Sequence, residues 1–362
     1  MPCASSASEA SALARAASRP ARHFDALDGL RGVAALAVAL FHWLLSFNGY
    51  LAVDFFLALS GFILAHRYLY GTDRPGAYGF VTARLARLYP MHLYGLLSYA
   101  LVYTLLAGDI PHYPDGTLST FLQQLTLTHN VGLNTHGQTW NAPSWSISVE
   151  FWLNLAFFAW IGRRTRSLAL LLASLVCLGL VAVLTGHLDT TFQNYFQVFN
   201  SGLLRGWAAF LLGVLAYRGY RSLQARRLSP RALGLAQAVL LAAAVALFFP
   251  RALRLLDLLA PPLFALAVTA FAFQAAWPAR LLARLKGLGT ISYSIYLNHL
   301  VILMGVNSGV CEPLGLAHGP LTPLYLAGLV AYSVLTYRFI EVPGKRLLRR
   351  LAPARPLPIA SA

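Results

Sequence analysis

Ten long apolar runs follow one another along this chain, near residues 27–47, 50–69, 88–107, 144–162, 168–185, 199–217, 232–249, 257–276, 290–307 and 321–340. Coiled as an α-helix, about 20 apolar residues match the thickness of a bilayer's hydrocarbon core. In hydrocarbon only a helix or a closed barrel satisfies every backbone amide. The expected fold is therefore an all-α integral membrane protein, a polytopic bundle of about ten transmembrane helices. Composition agrees. Hydrophobic residues make up 58% of the chain and charged residues 11%, against roughly 25% charged in soluble domains, too little polar surface for a water-soluble fold. Ten spans with their loops use the 362 residues as one membrane domain, expected over 27–346. The Ala-, Ser- and Arg-rich segment 1–26 reads as a disordered cytoplasmic tail rather than a transit peptide, and 347–362 as a second cytoplasmic tail.

The net charge of +16 points to nucleic acid or to anionic lipid, and the placement of the charges decides between them. Lys and Arg alternate strictly. Arg15, Arg19 and Arg22 precede span one, and Arg67, Arg74, Arg84 and Arg87 separate spans two and three. Arg163, Arg164 and Arg166 follow span four, Arg218, Arg221, Arg226 and Arg227 span six, Arg280, Arg284 and Lys286 span eight, and Lys345, Arg346, Arg349 and Arg350 span ten. The intervening segments 108–143, 186–198 and 305–320 hold none, and only Arg251 and Arg254 break the pattern. By the positive-inside rule both termini are cytoplasmic and the 108–143 loop lies on the opposite side. The basic excess is thus topogenic, with the lipid bilayer as partner and no nucleic-acid surface. Cys3, Cys177 and Cys311 are scattered without ligand spacing, so neither a disulfide framework nor a metal site is expected.

A charged group at the centre of a span costs roughly 2.5–3.5 kcal/mol on the insertion scale, so each one needs a reason to be there. The chain holds Arg31 and His42 in span one, Asp54 in span two, Glu150 in span four, Arg205 in span six and His299 in span nine. Sidedness puts most of them at comparable depth, which suggests one central polar cavity. Arg31 and His42, eleven residues apart, share a helix face about 16 Å apart along the axis. His42 and Asp54 both fall toward the outer half, where a carboxylate would fix the tautomer of an imidazole acting as general base. The alternative is a His and an Asp bonded only for packing. Arg84 and Arg87 satisfy the positive-inside rule without further purpose, yet at i and i+3 they also share a face suited to phosphates. Arg338 and Glu341 read as a local tie. The serines Ser144, Ser146 and Ser148 read as hydroxyls bonding within or between helices rather than as nucleophiles. In the 108–143 loop, Tyr113, Asp115, His129, His136, Trp140 and Asn141 suit either sugar recognition or a plain capping loop.

These residues fall in an order that resembles the acyltransferase 3 family of bacterial membrane O-acyltransferases. The resemblance begins at LDGLRGVAALAVALFHW (27–43), where Arg31 and His42 fit the family's Arg, ten residues, His signature. It continues through VDFFLALSGFIL (53–64), RLARLYP (84–90) and SWSISVEFWLNL (144–155), and ends with ISYSIYLNH (291–299) and FIEVPGKR (339–346). Asn298 departs from it, standing where the family often has Trp. The resemblance implies transfer of an acyl group, usually acetyl, from cytoplasmic acyl-CoA to a hydroxyl of a cell-surface or exported carbohydrate, at the bacterial inner membrane. It implies His42, Asp54 and Glu150 at the chemistry and Arg31, Arg84 and Arg87 on the CoA phosphates, with Arg205 and His299 as further cavity groups. The esterase-like C-terminal domain of some members is not seen, which places the expected transfer within the membrane domain. A proton-coupled transporter of a small solute or sugar is the rival class, since midplane His, Asp, Glu and Arg also mark ion pathways.

Overall fold

The computed structural model describes residues 23–71, 75–133, 138–190, 194–195, 199–249 and 254–351. Most of the two expected tails (1–22 and 352–362), Cys3, His136 and Arg251 lie outside these residues. Ten long helices and two short ones carry the described fold. They are α1 (Asp25–Leu44), α2 (Gly49–Leu69), α3 (Ala77–Ala107), the short α4 (Thr117–Leu125), α5 (Trp145–Trp160), α6 (Ser167–Leu184), α7 (Ser201–Gln224), α8 (Pro230–Phe248), α9 (Arg254–Phe271), the short α10 (Trp277–Ala283), α11 (Lys286–Leu314) and α12 (His318–Arg350). Strands β1 (Asn194–Tyr195) and β2 (Phe199–Asn200) pair antiparallel in the α6–α7 connection. The side chain of Asn200 then accepts from the amide of Gly202 at 2.7 Å and caps α7.

Eight of the helices are long and apolar enough to cross a membrane, and the protein is an all-α polytopic membrane protein. Two expected spans fall short of that measure although both are helical: α5 has 16 residues, and the 24 residues of α7 include Arg205, Arg218 and Arg221. Burial separates centre from periphery. The most apolar stretch of α2 is 78% buried and that of α6 only 17%, with Val183 of α6 85% exposed. Large side chains turned outward in this way suit a bundle whose solvent is lipid.

Three spans extend beyond their apolar runs. Helix α3 starts at Ala77 rather than near 88, so Arg84 and Arg87 lie within it, because helix formation needs backbone continuity and not apolarity. Helices α11 and α12 continue through π turns at Asn307–Cys311 and Tyr337–Glu341. A π turn shifts the face on which later residues stand.

Two close crossings organise the interior, and each needs a glycine. A Cβ on Gly289 of α11 would stand 2.0 Å from the carbonyl oxygen of Asp28 on α1. A Cβ on Gly213 of α7 would stand 1.9 Å from that of Ala58 on α2. Small residues of this kind let membrane helices approach backbone to backbone. Among the described residues the arginine-rich segments gather at one end of the bundle: Lys286 pairs with Asp25 at 3.2 Å and Arg218 donates to the carbonyl of Thr165 at 2.8 Å. At the other end the amide of Asn48 donates to the carbonyl of Phe248 at 2.6 Å, and Arg254, an exception to the alternation, pairs with Asp189 at 3.8 Å.

Candidate active site

The α2/α7 crossing delivers Asp54 and Arg205 to each other rather than to a shared cavity. Arg205 donates through Nη2 and Nε to the Asp54 carboxylate, the shortest bond being 2.6 Å, and the two side chains are 0% and 1% exposed. Two further guanidinium donors are met by the carbonyls of Leu188 (2.9 Å) and Tyr50 (2.8 Å). A second carboxylate closes the cluster, Asp257, which accepts from Tyr50 Oη at 2.6 Å and from the amide of Leu188 at 3.3 Å. With all three guanidinium nitrogens hydrogen-bonded and both side chains buried, this pair has the form of a structural lock.

The α1/α11 crossing places His42 against His299, and here the expected carboxylate partner is replaced. Among the described residues neither Asp54 nor Glu150 bonds to His42. Its Nδ1 lies 3.0 Å from the carbonyl of Val38 and 3.2 Å from His299 Nε2. His299 Nδ1 in turn faces the carbonyl of Tyr296 at 2.6 Å. A carbonyl only accepts, so His299 Nδ1 carries a hydrogen and, in the neutral ring, Nε2 is an acceptor. The donor to it is His42 Nδ1–H, which leaves the lone pair of His42 on Nε2. Hydrogen bonds to groups on the helices thus fix the tautomer, the role the sequence reading assigned to a carboxylate. His299 is fully buried and His42 half-buried. Tyr296 holds the same α11 turn to α5 and its approach, bonding Ser146 Oγ at 2.9 Å and the carbonyl of Pro143 at 3.0 Å.

Toward the arginine-rich end, Arg31 bonds the carbonyl of Gly289 (2.5 Å) and Ser292 Oγ (3.0 Å), so the same crossing that aligns the histidines aligns this guanidinium. Arg31 interacts electrostatically with Arg87, Asp28, Glu341 and Glu150. Arg84 interacts with Arg87, Glu150 and Arg67. Glu150 accepts from Ser60 Oγ at 3.0 Å. Arg84 is only 9% exposed, its guanidinium lies 5.7 Å from the Phe80 ring and 5.8 Å from the Tyr68 ring, and its buried Nε has no hydrogen-bond partner. A purely topogenic arginine would extend into water instead.

Glu341 is the site group that sequence reasoning misplaced. It forms no ion pair with Arg338, which is exposed; the π turn at Tyr337–Glu341 breaks the i, i+3 stacking. Glu341 instead accepts from Ser294 Oγ on α11 at 2.8 Å and faces Arg87, Lys345 and Arg31. No local sequence signal marks that turn. Asn298, the departure from the family pattern, ties α11 to α12 through Thr336 Oγ1 at 2.8 Å.

The described part of the 108–143 loop spends its polar groups on bonds within the loop and to the bundle beneath it. Trp140 donates its amide to Tyr113 Oη (2.5 Å) and Nε1–H to Thr120 Oγ1 (3.1 Å), while Asn141 reaches the carbonyl of Leu297 (3.0 Å). Burial, reinforced by the stacked His92 imidazole, pushes His129 from its ordinary 6.5 down to about 3. That arrangement is a cap over the bundle. The three serines are likewise engaged: Ser144 with Gln124 (3.1 Å) and His129 (3.2 Å), Ser146 with Tyr296, and Ser148 with the carbonyl of Leu127 (2.7 Å).

A family model described as an acyltransferase domain, Acyl_transf_3, matches residues 24–338. The chain belongs to the acyltransferase 3 family and is a membrane acyltransferase. Three relatives are similar to it. Protein 2 in picA locus of Rhizobium radiobacter is 37% identical over 167 residues, covering 40% of this chain and 86% of that protein. Acyltransferase MdmB of Streptomyces mycarofaciens is 32% identical over 154 residues, 37% of this chain and 38% of its own length. Putative membrane-bound transacylase BcsY of Komagataeibacter xylinus is 26% identical over 331 residues, 88% of this chain and 82% of its own. No solved structure matches.

Proposed function

We propose that the protein transfers an acyl group, acetyl by family likeness, from cytoplasmic acyl-CoA to a hydroxyl of a carbohydrate across the bacterial inner membrane, with both termini cytoplasmic. The observation that carries this reading is the His42–His299 pair, which presents a free Nε2 lone pair on the same α1 face as Arg31. The two α1 side chains stand about 16 Å apart along the helix. Arg31, Arg84 and Arg87 hold the CoA phosphates at the mouth, where arginines and Lys345 outnumber Glu150 and Glu341. The unpartnered Nε of Arg84 supports an anion there.

In the reaction, His42 Nε2 takes the proton of the acceptor hydroxyl as its oxygen attacks the thioester carbonyl carbon. The C–S bond breaks, and the resulting imidazolium returns the proton to the leaving sulfur. Glu150 balances charge at the mouth, and Asp54 acts through Arg205 on the placement of α2 and α7. The test is mass spectrometry of surface glycans from cells carrying the protein, lacking it, or carrying His42→Ala. The reading expects an acyl group on a glycan that disappears in the last two, with the variant still inserted. An unchanged acylation pattern overturns it, and solute uptake without release of free CoA would turn the assignment to a transporter.

A further inference from the structure

Apart from the Arg31, Arg84 and Arg87 mouth, the arginine-rich end holds a second basic site. A cavity of about 570 Å³ opens between the end of α2, the α5–α6 connection and the end of α7, with Tyr70, Arg163, Ser167, Arg218, Arg221 and Ser222 in its wall. Its arginines are held in place rather than loose. Arg218 donates to the carbonyl of Thr165 (2.8 Å) and to Ser167 Oγ (2.9 Å), pinning the connection, and its buried Nε has no partner. Arg163 donates through Nε to the carbonyl of Leu69. The guanidinium carbons of Arg221 and Arg163 lie 4.2 Å and 5.7 Å from the centroid of the Tyr70 ring.

Among the described residues no carboxylate forms an ion pair with any of the three. Three fixed positive charges around one cavity repel each other unless an anion sits among them. Guanidinium forks together with the hydroxyls of Ser167 and Ser222 suit tetrahedral oxyanions. Helix α6 leaves this cavity at Ser167 and turns Leu168, Leu172 and Leu175 outward, 64%, 53% and 51% exposed, a surface on which acyl chains would lie.

We propose that this cavity seats a phosphate group, either the headgroup of an anionic phospholipid or a phosphate of a soluble nucleotide. The site does not depend on the acyl-transfer chemistry, so His42→Ala leaves it intact. The experiment uses the full chain in nanodiscs and compares it with the double variant Arg163→Gln/Arg221→Gln and with Ser222→Glu, an exposed position where an added carboxylate fills the anion's place. Native mass spectrometry reads retained phosphatidylglycerol against phosphatidylcholine, and equilibrium binding reads coenzyme A.

A lipid source predicts that phosphatidylglycerol retention falls by about fivefold per arginine, roughly 25-fold for the pair, while phosphatidylcholine is unaffected. A nucleotide source predicts the same fall in coenzyme A affinity with lipid retention unchanged. If Ser222→Glu and the double variant leave both unchanged, the cavity is not a phosphate site. Loss of coenzyme A binding in Arg84→Ala but not in Ser222→Glu separates this site from the proposed donor mouth.

Discussion

The two glycine-mediated crossings, α2/α7 and α1/α11, are built alike and end differently. Each brings two helices to backbone contact, at Gly213 and at Gly289, and each sets a polar pair beyond the contact. At α2/α7 the pair is Asp54–Arg205, opposite in charge, 0% and 1% exposed, with all three guanidinium nitrogens hydrogen-bonded. At α1/α11 it is His42–His299, with one imidazole half-buried and, among the described residues, no carboxylate partner and no bond to His42 Nε2. A compensated ion pair buried this deeply is closed to a substrate, whereas a tautomer-fixed histidine with an open lone pair is poised to take a proton. Ionisable groups inside a membrane therefore separate by partner rather than by residue type.

The largest break of this comparison comes from Asp54→Ala, which leaves Arg205 buried and uncompensated. It should cost about 3–5 kcal/mol of stability, seen as a drop in melting temperature in detergent, while Asp54→Leu/Arg205→Met restores much of it. A normal melting temperature with lost acyl transfer would instead put the carboxylate in the chemistry. Gly289→Ala comes next. Its Cβ meets the Asp28 carbonyl, so α1 and α11 must part, at a cost of about 1–3 kcal/mol, and acyl transfer should fall with it because Arg31 and both histidines lose alignment. An equal change in Gly213→Ala stability with transfer unaffected per folded molecule would sharpen the division between lock and site.

His299→Asn tests positioning. It should lower kcat by about 10–100-fold with KM for acyl-CoA unchanged and reshape the pH–rate profile, because the His42 tautomer is no longer fixed. An unaltered profile would make His299 a packing residue. The smallest effect is expected at the cap. The folded His129 value of about 3 lies below the ordinary 6.5. Its contribution is therefore complete above pH 6.5 and is lost as pH falls toward 3. Melting temperature should decline over that window, and less steeply in His129→Gln.

Much of the architecture was legible in order along the chain. Apolar runs announced the helices, the described arginine-rich segments gather at one end, and the motifs around Arg31, His42, Asp54, Arg84 and Glu150 carried the family. Errors arose where a contact depends on rotation of one helix against another. Asp54 was expected beside His42 and meets Arg205, 151 residues away. His42 meets His299, 257 residues away. Glu341 was expected to tie to Arg338 and is turned inward by a π turn.

By itself, the sequence determined that this protein lives in a bilayer and which family it joins, because span length, hydropathy and motif order are local properties that survive without tertiary contacts. Only the tertiary structure decided which buried charge is a lock and which imidazole is free. Facing side chains are selected by where two helices touch, and in this protein Gly213 and Gly289 set those points of contact.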